Sequence, residues 1–175
     1  MINSSLCILV GILATVIFEI INIVKKTPIK SNVLGALLII YLTVVLKITL
    51  FPIPIDYDYA NNQLNNFIPF ASIYSLISEG KYALKNILGN IVLFIPLGMI
   101  ITLLNYKKTA FYKPVLYGFI MSVTIEFLQF FIGLIIGFMY RSVDIDDVIL
   151  NTLGAVVGFL IIKIIPKKYI ELFTE

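Results

Sequence analysis

Residues 115–139 read VLYGFIMSVTIEFLQFFIGLIIGFM, a run with one ionisable side chain, Glu126, near its middle. A hydrocarbon core about 30 Å thick is crossed by about 20 helical residues, so this stretch is long and apolar enough to span a bilayer. Further runs of the same kind occupy residues 6–24, 33–51, 87–104 and 148–165. The composition agrees with them: 60% of the 175 residues are hydrophobic and 13% charged, and the mean hydropathy is +1.03. Those values lie outside the range of soluble domains. The expected fold is all-α, a polytopic transmembrane helix bundle of about five spans.

Proline marks the borders of these runs. Pro28 and Pro52 fall just beyond the first two, Pro114 can occupy the first turn of the fourth, and Pro166 follows the fifth. The first run has no basic residue before it and no small-residue cleavage site before Lys25 and Lys26, so it reads as a retained helix rather than a signal peptide. Cations set the orientation, because Lys and Arg stay on the cytoplasmic side. Lys25, Lys26, Lys30, Lys107, Lys108, Lys113, Lys163, Lys167 and Lys168 share one side. The other receives Lys81, Lys85 and Arg141 with the acids Asp56, Asp58, Glu79, Asp144, Asp146 and Asp147. The expected topology is N-terminus out and C-terminus in, as a multi-pass membrane protein. The net charge of +3 is largely this topological signal, so no nucleic-acid partner is expected. The long outer connection holds Asn61, Asn62, Gln63, Asn65 and Asn66, then apolar residues at helical spacing from Pro69 towards Gly80. A short helix in the membrane interface and a loop packed on the bundle are both compatible with that pattern.

Charged and amide side chains within spans are costly and therefore informative. Ser122, Glu126 and Gln129 lie on one helical face, and Asp144, Asp147 and Asn151 begin the last span at i, i+3 and i+7. Asn86 and Asn90 open the third span, and Lys47 and Thr49 close the second. The topology brings these ends to similar depth. They predict a polar pocket lined by Lys47, Asn90, Glu126, Gln129, Arg141, Asp144, Asp147 and Asn151, with Gly154 and Gly158 letting the last span approach a neighbour closely. Simpler roles are open for each group. Asp144 suits an N-cap, the amides suit interhelical hydrogen bonds, Lys47 can snorkel, and Glu126 can pair with Lys47 or Arg141. There is no histidine and a single cysteine, Cys7, so imidazole-based catalysis is excluded. No cofactor or metal is expected. Asp144, Asp146 and Asp147 could offer oxygens to a divalent ion, but acids at a helix start are commoner as caps.

Taken in order, NFIPF at 66–70, NILGNIVLFIPLG at 86–98, IEFLQF at 125–130 and RSVDIDDVILNTLG at 141–154 resemble the VanZ-like family of bacterial membrane proteins. The matching positions are Asn66, Pro69 and Phe70; Asn90, Phe94, Pro96 and Gly98; Glu126 and Gln129; and Arg141, Asp144, Asp147, Asn151 and Gly154. The resemblance covers roughly residues 41–162, which suggests an N-terminal transmembrane helix at 1–30 outside it and a VanZ-like transmembrane domain at 31–175. It adds Asn66 to the candidate binding residues. It also implies an association with low-level teicoplanin resistance in Gram-positive bacteria. The expected function is an outward-facing pocket that binds a lipophilic or lipid-linked ligand, with Lys47 and Arg141 offered to anionic groups. Membrane lipids, a lipoglycopeptide and a lipid-linked cell-wall precursor are the partners this implies; no feature indicates an oligomeric state. A second reading is a membrane-embedded enzyme in which Glu126 acts as general acid or base on a lipid headgroup, although no nucleophile is apparent. A third is a small transporter subunit with Glu126 as a proton site.

Overall fold

The computed structural model describes residues 1–55, 65–79, 81–104, 106–107 and 109–174. Among them the regular elements are all helices: α1 (Ser5–Lys25), α2 (Ile29–Leu50), α3 (Ala71–Glu79), α4 (Lys81–Leu104), α5 (Tyr112–Ile136), α6 (Ile145–Ile164) and α7 (Lys167–Thr174). The residues Asp56, Asp58, Asn61, Asn62, Gln63 and Gly80 that entered the reading of the long connection lie outside the described residues. Five helices, α1, α2, α4, α5 and α6, are long and apolar enough to cross a membrane. Only helices and closed barrels satisfy their backbone in lipid, so the all-helical architecture follows from the composition.

The helix ends depart from the hydropathy borders for identifiable reasons. α2 starts at Ile29, with Pro28 as its N-cap. α5 stops at Ile136 because Gly137 takes a left-handed φ of 85° and its amide returns to the Gly133 carbonyl. That left-handed C-cap cuts short the run that hydropathy extends to residue 139. α6 starts at Ile145, ahead of the apolar border, because the Asp144 side chain accepts the Asp146 amide as an N-cap. Of the two readings left open for this connection the helical one holds: a short helix follows Pro69, and it packs on α4 and α6.

α6 is the centre of the bundle and α1 its periphery: half of the α6 span is buried, against 6% of the α1 span, which packs on α2. Lipid tails are as apolar as Leu, so close packing rather than exclusion from water drives helix association here. Small residues supply it. A Cβ added at Gly154 or Gly158 would run into the carbonyl oxygens of Ile91 or Ile95, and one at Gly98 into the Ala155 carbonyl. The neighbour approached by the small face of α6 is therefore α4. Ala155 also meets Gly118 of α5, so one alanine sits between two glycines of flanking helices. Val45, Phe94, Leu97 and Ile125 join α2, α4 and α5 in one buried cluster. Around it, the outward faces carry exposed Leu, Ile, Val and Phe, as a lipid-facing surface requires.

Candidate functional site

The first turn of α6 organises the polar residues. Asp144 accepts the Asp146 amide and the Asn66 side-chain amide on the same oxygen, each at 2.8 Å. Its own backbone N–H donates to Glu126 Oε2 at 2.9 Å. Asn66 also joins the chain before α6 through its backbone, donating to the Val143 carbonyl at 2.8 Å and accepting from Ile145 at 3.0 Å. Its side chain turns the following residues, with Oδ1 accepting the Ile68 amide and Nδ2 donating to Ser72. Asn66 therefore clasps the segment before α3 to the start of α6.

Asp146, only 1% exposed, faces away from its own helix. Its two carboxylate oxygens accept the amides of Phe70 at 2.5 Å and Ile73 at 3.0 Å. These are N-terminal donors of α3, a helix whose preceding residues Pro69 and Phe70 offer no capping oxygen. Phe70 itself adopts a positive φ of 67°. Deeper in α6, Asp147 accepts from the Asn90 amide of α4, and Asn151 donates to Ser122 of α5 at 2.8 Å.

A second constellation closes the C-terminus of α2, where the last carbonyls have no partner within the helix. Gln129 donates to the Thr49 carbonyl at 3.0 Å and Tyr140 to the Leu50 carbonyl at 3.1 Å. Arg141 Nη2 donates to the carbonyls of Phe51 and Ile48, at 3.0 and 3.3 Å. A cation at that end also complements the helix dipole. Burial pushes the Tyr140 phenol above its ordinary range, and the adjacent Arg141 charge offsets part of that. Tyr140 is therefore a protonated donor at neutral pH.

Between α2, α3, α4 and the α5–α6 connection lies a cavity of about 670 Å³. Asn90, Gln129, Arg141, Asp144 and Asp147 line it, with Ile48 and Thr49 of α2, Ser72 and Ile73 of α3, and Lys85 and Asn86 of α4. The other candidates sit elsewhere. Glu126 and Asn151, 7% and 4% exposed, are buried outside the cavity lining. Asn66 supports Asp144 without lining the cavity. Lys47 is exposed on another face of α2, in an apolar groove with Ile8, Ile12 and Val16 of α1. Glu126 binds a backbone amide, and among the described residues it forms no ion pair with Lys47 or Arg141. Among the described residues no group of carboxylates and thiols converges as a metal site.

Lys85 and the capping role of Asp146 were not legible as site features. The signal for Asp146 was indirect: a helix that begins PFASIY without a capping side chain needs acceptors from another segment.

No solved structure matches the chain. Over 132 residues, 73% of this chain and 70% of the relative, it is 29% identical to Protein VanZ of Enterococcus faecium. A family model described as VanZ/LLP1 matches residues 38–166, from within α2 to the end of α6 and Pro166. That interval contains Asn66, Asn90, Glu126, Gln129, Arg141, Asp144, Asp147 and Asn151, whose bonds hold α2 to α6 together, and the chain belongs to the VanZ/LLP1 family.

Proposed function

We propose that this protein binds a lipophilic or lipid-linked ligand in the cavity beneath α3, at the outer face of the bacterial cytoplasmic membrane, and thereby lowers susceptibility to teicoplanin. The observation that carries this reading is the cavity itself. Polar and charged side chains from α2, α3, α4 and the start of α6 surround an open volume at one end of a bundle whose spans carry exposed Leu, Ile, Val and Phe on their outward faces. Family membership supports the link to glycopeptides. The cation distribution supports an N-out, C-in topology, which turns this end of the bundle outward. Phe67, Ile68, Phe70, Tyr74 and Ile77 are all exposed around α3, a face suited to lying in the membrane interface beside the cavity mouth.

The test is the susceptibility of a sensitive Gram-positive host to teicoplanin and to vancomycin, expressing wild type, Asn90→Leu or Arg141→Ala at matched membrane levels. Selective protection against the lipid-tailed drug by wild type, lost in both variants, is the expected result. Absence of protection by wild type would remove the resistance role.

A further inference from the structure

The cavity wall is rich in acceptors whose hydrogen-bonding capacity is unmet. Gln129 lines it and is 8% exposed. Because Nε2 donates to the Thr49 carbonyl, the amide orientation is determined, and the remaining atom, Oε1, can only accept. Oε1 is buried and has no partner among the described residues. Among the described residues Asn32 and Asn151 also leave a buried oxygen without a partner, away from the cavity; Gln129 differs in lining it, where a donor can be supplied from outside the chain. The carboxylates on the same lining add to this. Asn66 and the Asp146 amide share Oδ1 of Asp144, and Asn90 uses Oδ1 of Asp147. The second oxygen of each has no partner among the described residues.

The cations do not answer these acceptors. Arg141 is directed at the carbonyls of α2, and Lys47 lies in the groove with α1. Lys85 of α4 lines the cavity, is exposed and forms no ion pair among the described residues. A ligand that fits must therefore donate hydrogen bonds to carboxylates and an amide oxygen, while presenting negative charge to one lysine.

We propose that the cavity recognises a primary ammonium carried beside a phosphate, the zwitterionic headgroup of a membrane amphiphile. The ammonium donates to Gln129 Oε1 and to the carboxylates of Asp144 and Asp147, and the phosphate meets Lys85. Carboxylate acceptors favour an ammonium over a neutral hydroxyl, since charge-assisted hydrogen bonds are the stronger kind. A volume of about 670 Å³ suits a headgroup of this size with the start of its chains. This rests on the reading that the cavity holds a lipid-linked ligand, and it reverses the expectation of an anion bound by Lys47 and Arg141.

The experiment is calorimetric titration of the purified full chain in detergent micelles. The probes are dihexanoyl phosphatidylethanolamine, its N-methyl, N,N-dimethyl and choline analogues, dihexanoyl phosphatidylglycerol, and glycerophosphoethanolamine. The methyl series removes donors while keeping the positive charge, so it needs no protein variant. Affinity should fall at least about tenfold from the primary amine to choline, with phosphatidylglycerol also weaker than phosphatidylethanolamine. Gln129→Leu should flatten the series, and Lys85→Gln, at an exposed position, should weaken every phosphate-bearing probe. Binding of the lipid alone upholds the proposal with a membrane source for the headgroup. Equal binding of glycerophosphoethanolamine upholds it with a soluble source. A flat amine series, equal binding of phosphatidylglycerol, or no saturable binding overturns it. Drug protection in cells together with a flat series would sink this proposal and leave the proposed function standing; the opposite pair would remove the resistance role and leave the ammonium site.

Discussion

The carboxylate of Asp146, in the first turn of α6, holds the backbone amide of Phe70 at 2.5 Å and so closes the N-terminus of α3, more than seventy residues earlier in the chain. Its second oxygen takes Ile73, and one buried acid thereby latches the helix that flanks the cavity. Asp146→Ala should release α3 and cost about 1–3 kcal/mol, the range for a lost cap that also leaves amides unpaired. Hydrogen exchange would show it. The amides of Phe70 and Ile73 should exchange at least about tenfold faster while α4 and α6 remain protected. Unchanged exchange at α3 would mean that Asn66 alone suffices as the clasp.

Contact between α4 and α6 depends on missing side chains, so enlargement should be costly in proportion to what a new atom meets. Gly154→Val and Gly158→Val drive atoms into the backbone of Ile91 and Ile95 and should destabilise the purified protein by about 1–3 kcal/mol or more. Gly89→Ala is the control, because an added Cβ there meets nothing within 4 Å. That change should be neutral or stabilising by up to about 1 kcal/mol, through helix propensity. Thermal unfolding in one detergent would rank the three variants.

Glu126 acts on the Asp144 amide, and an amide side chain can still accept that bond. Glu126→Gln should therefore fold with near wild-type stability. Glu126→Leu leaves the amide buried without an acceptor and should lose about 1–3 kcal/mol. Equal stability of the two variants would show that the Asp144 amide finds water or another partner.

Tyr140 and Arg141 are neighbours that close the same helix end, so their removal should not be additive. Tyr140→Phe and Arg141→Met each free carbonyls at the C-terminus of α2. A double-mutant cycle on thermal stability should give a coupling of about 0.5–3 kcal/mol. Arg141→Lys should behave like the Met variant, since the lysine side chain ends one atom short of Nη2, the nitrogen that reaches both Ile48 and Phe51. A coupling near zero would separate the two caps.

The spans were legible in the amino-acid sequence because a helix in lipid satisfies its backbone internally, so length and apolarity suffice to indicate it. Asp144 gave the true start of α6, Pro114 falls in the first turn of α5 as expected, and the spacing of Gly154 and Gly158 announced a close approach before its partner α4 was known. The convergence of Asn90, Gln129, Arg141, Asp144 and Asp147 on one cavity was also legible, since helix order and length place their ends at one depth.

What each side chain does there was decided by tertiary structure. Lys47 and Thr49 are two residues apart on α2, yet only Thr49 lines the cavity while Lys47 lies in the groove with α1. Arg141 serves carbonyls that belong to α2, and Asp146 serves amides that belong to α3. Each residue along a helix turns the side chain by about 100°, so its partner depends on how far the whole helix is rotated and shifted against its neighbours. That rotation is set here by backbone contacts such as Gly98 against Ala155, between residues far apart in the chain. Local sequence carries the information for a helix to exist, whereas the direction in which its polar groups point is a property of the packed bundle.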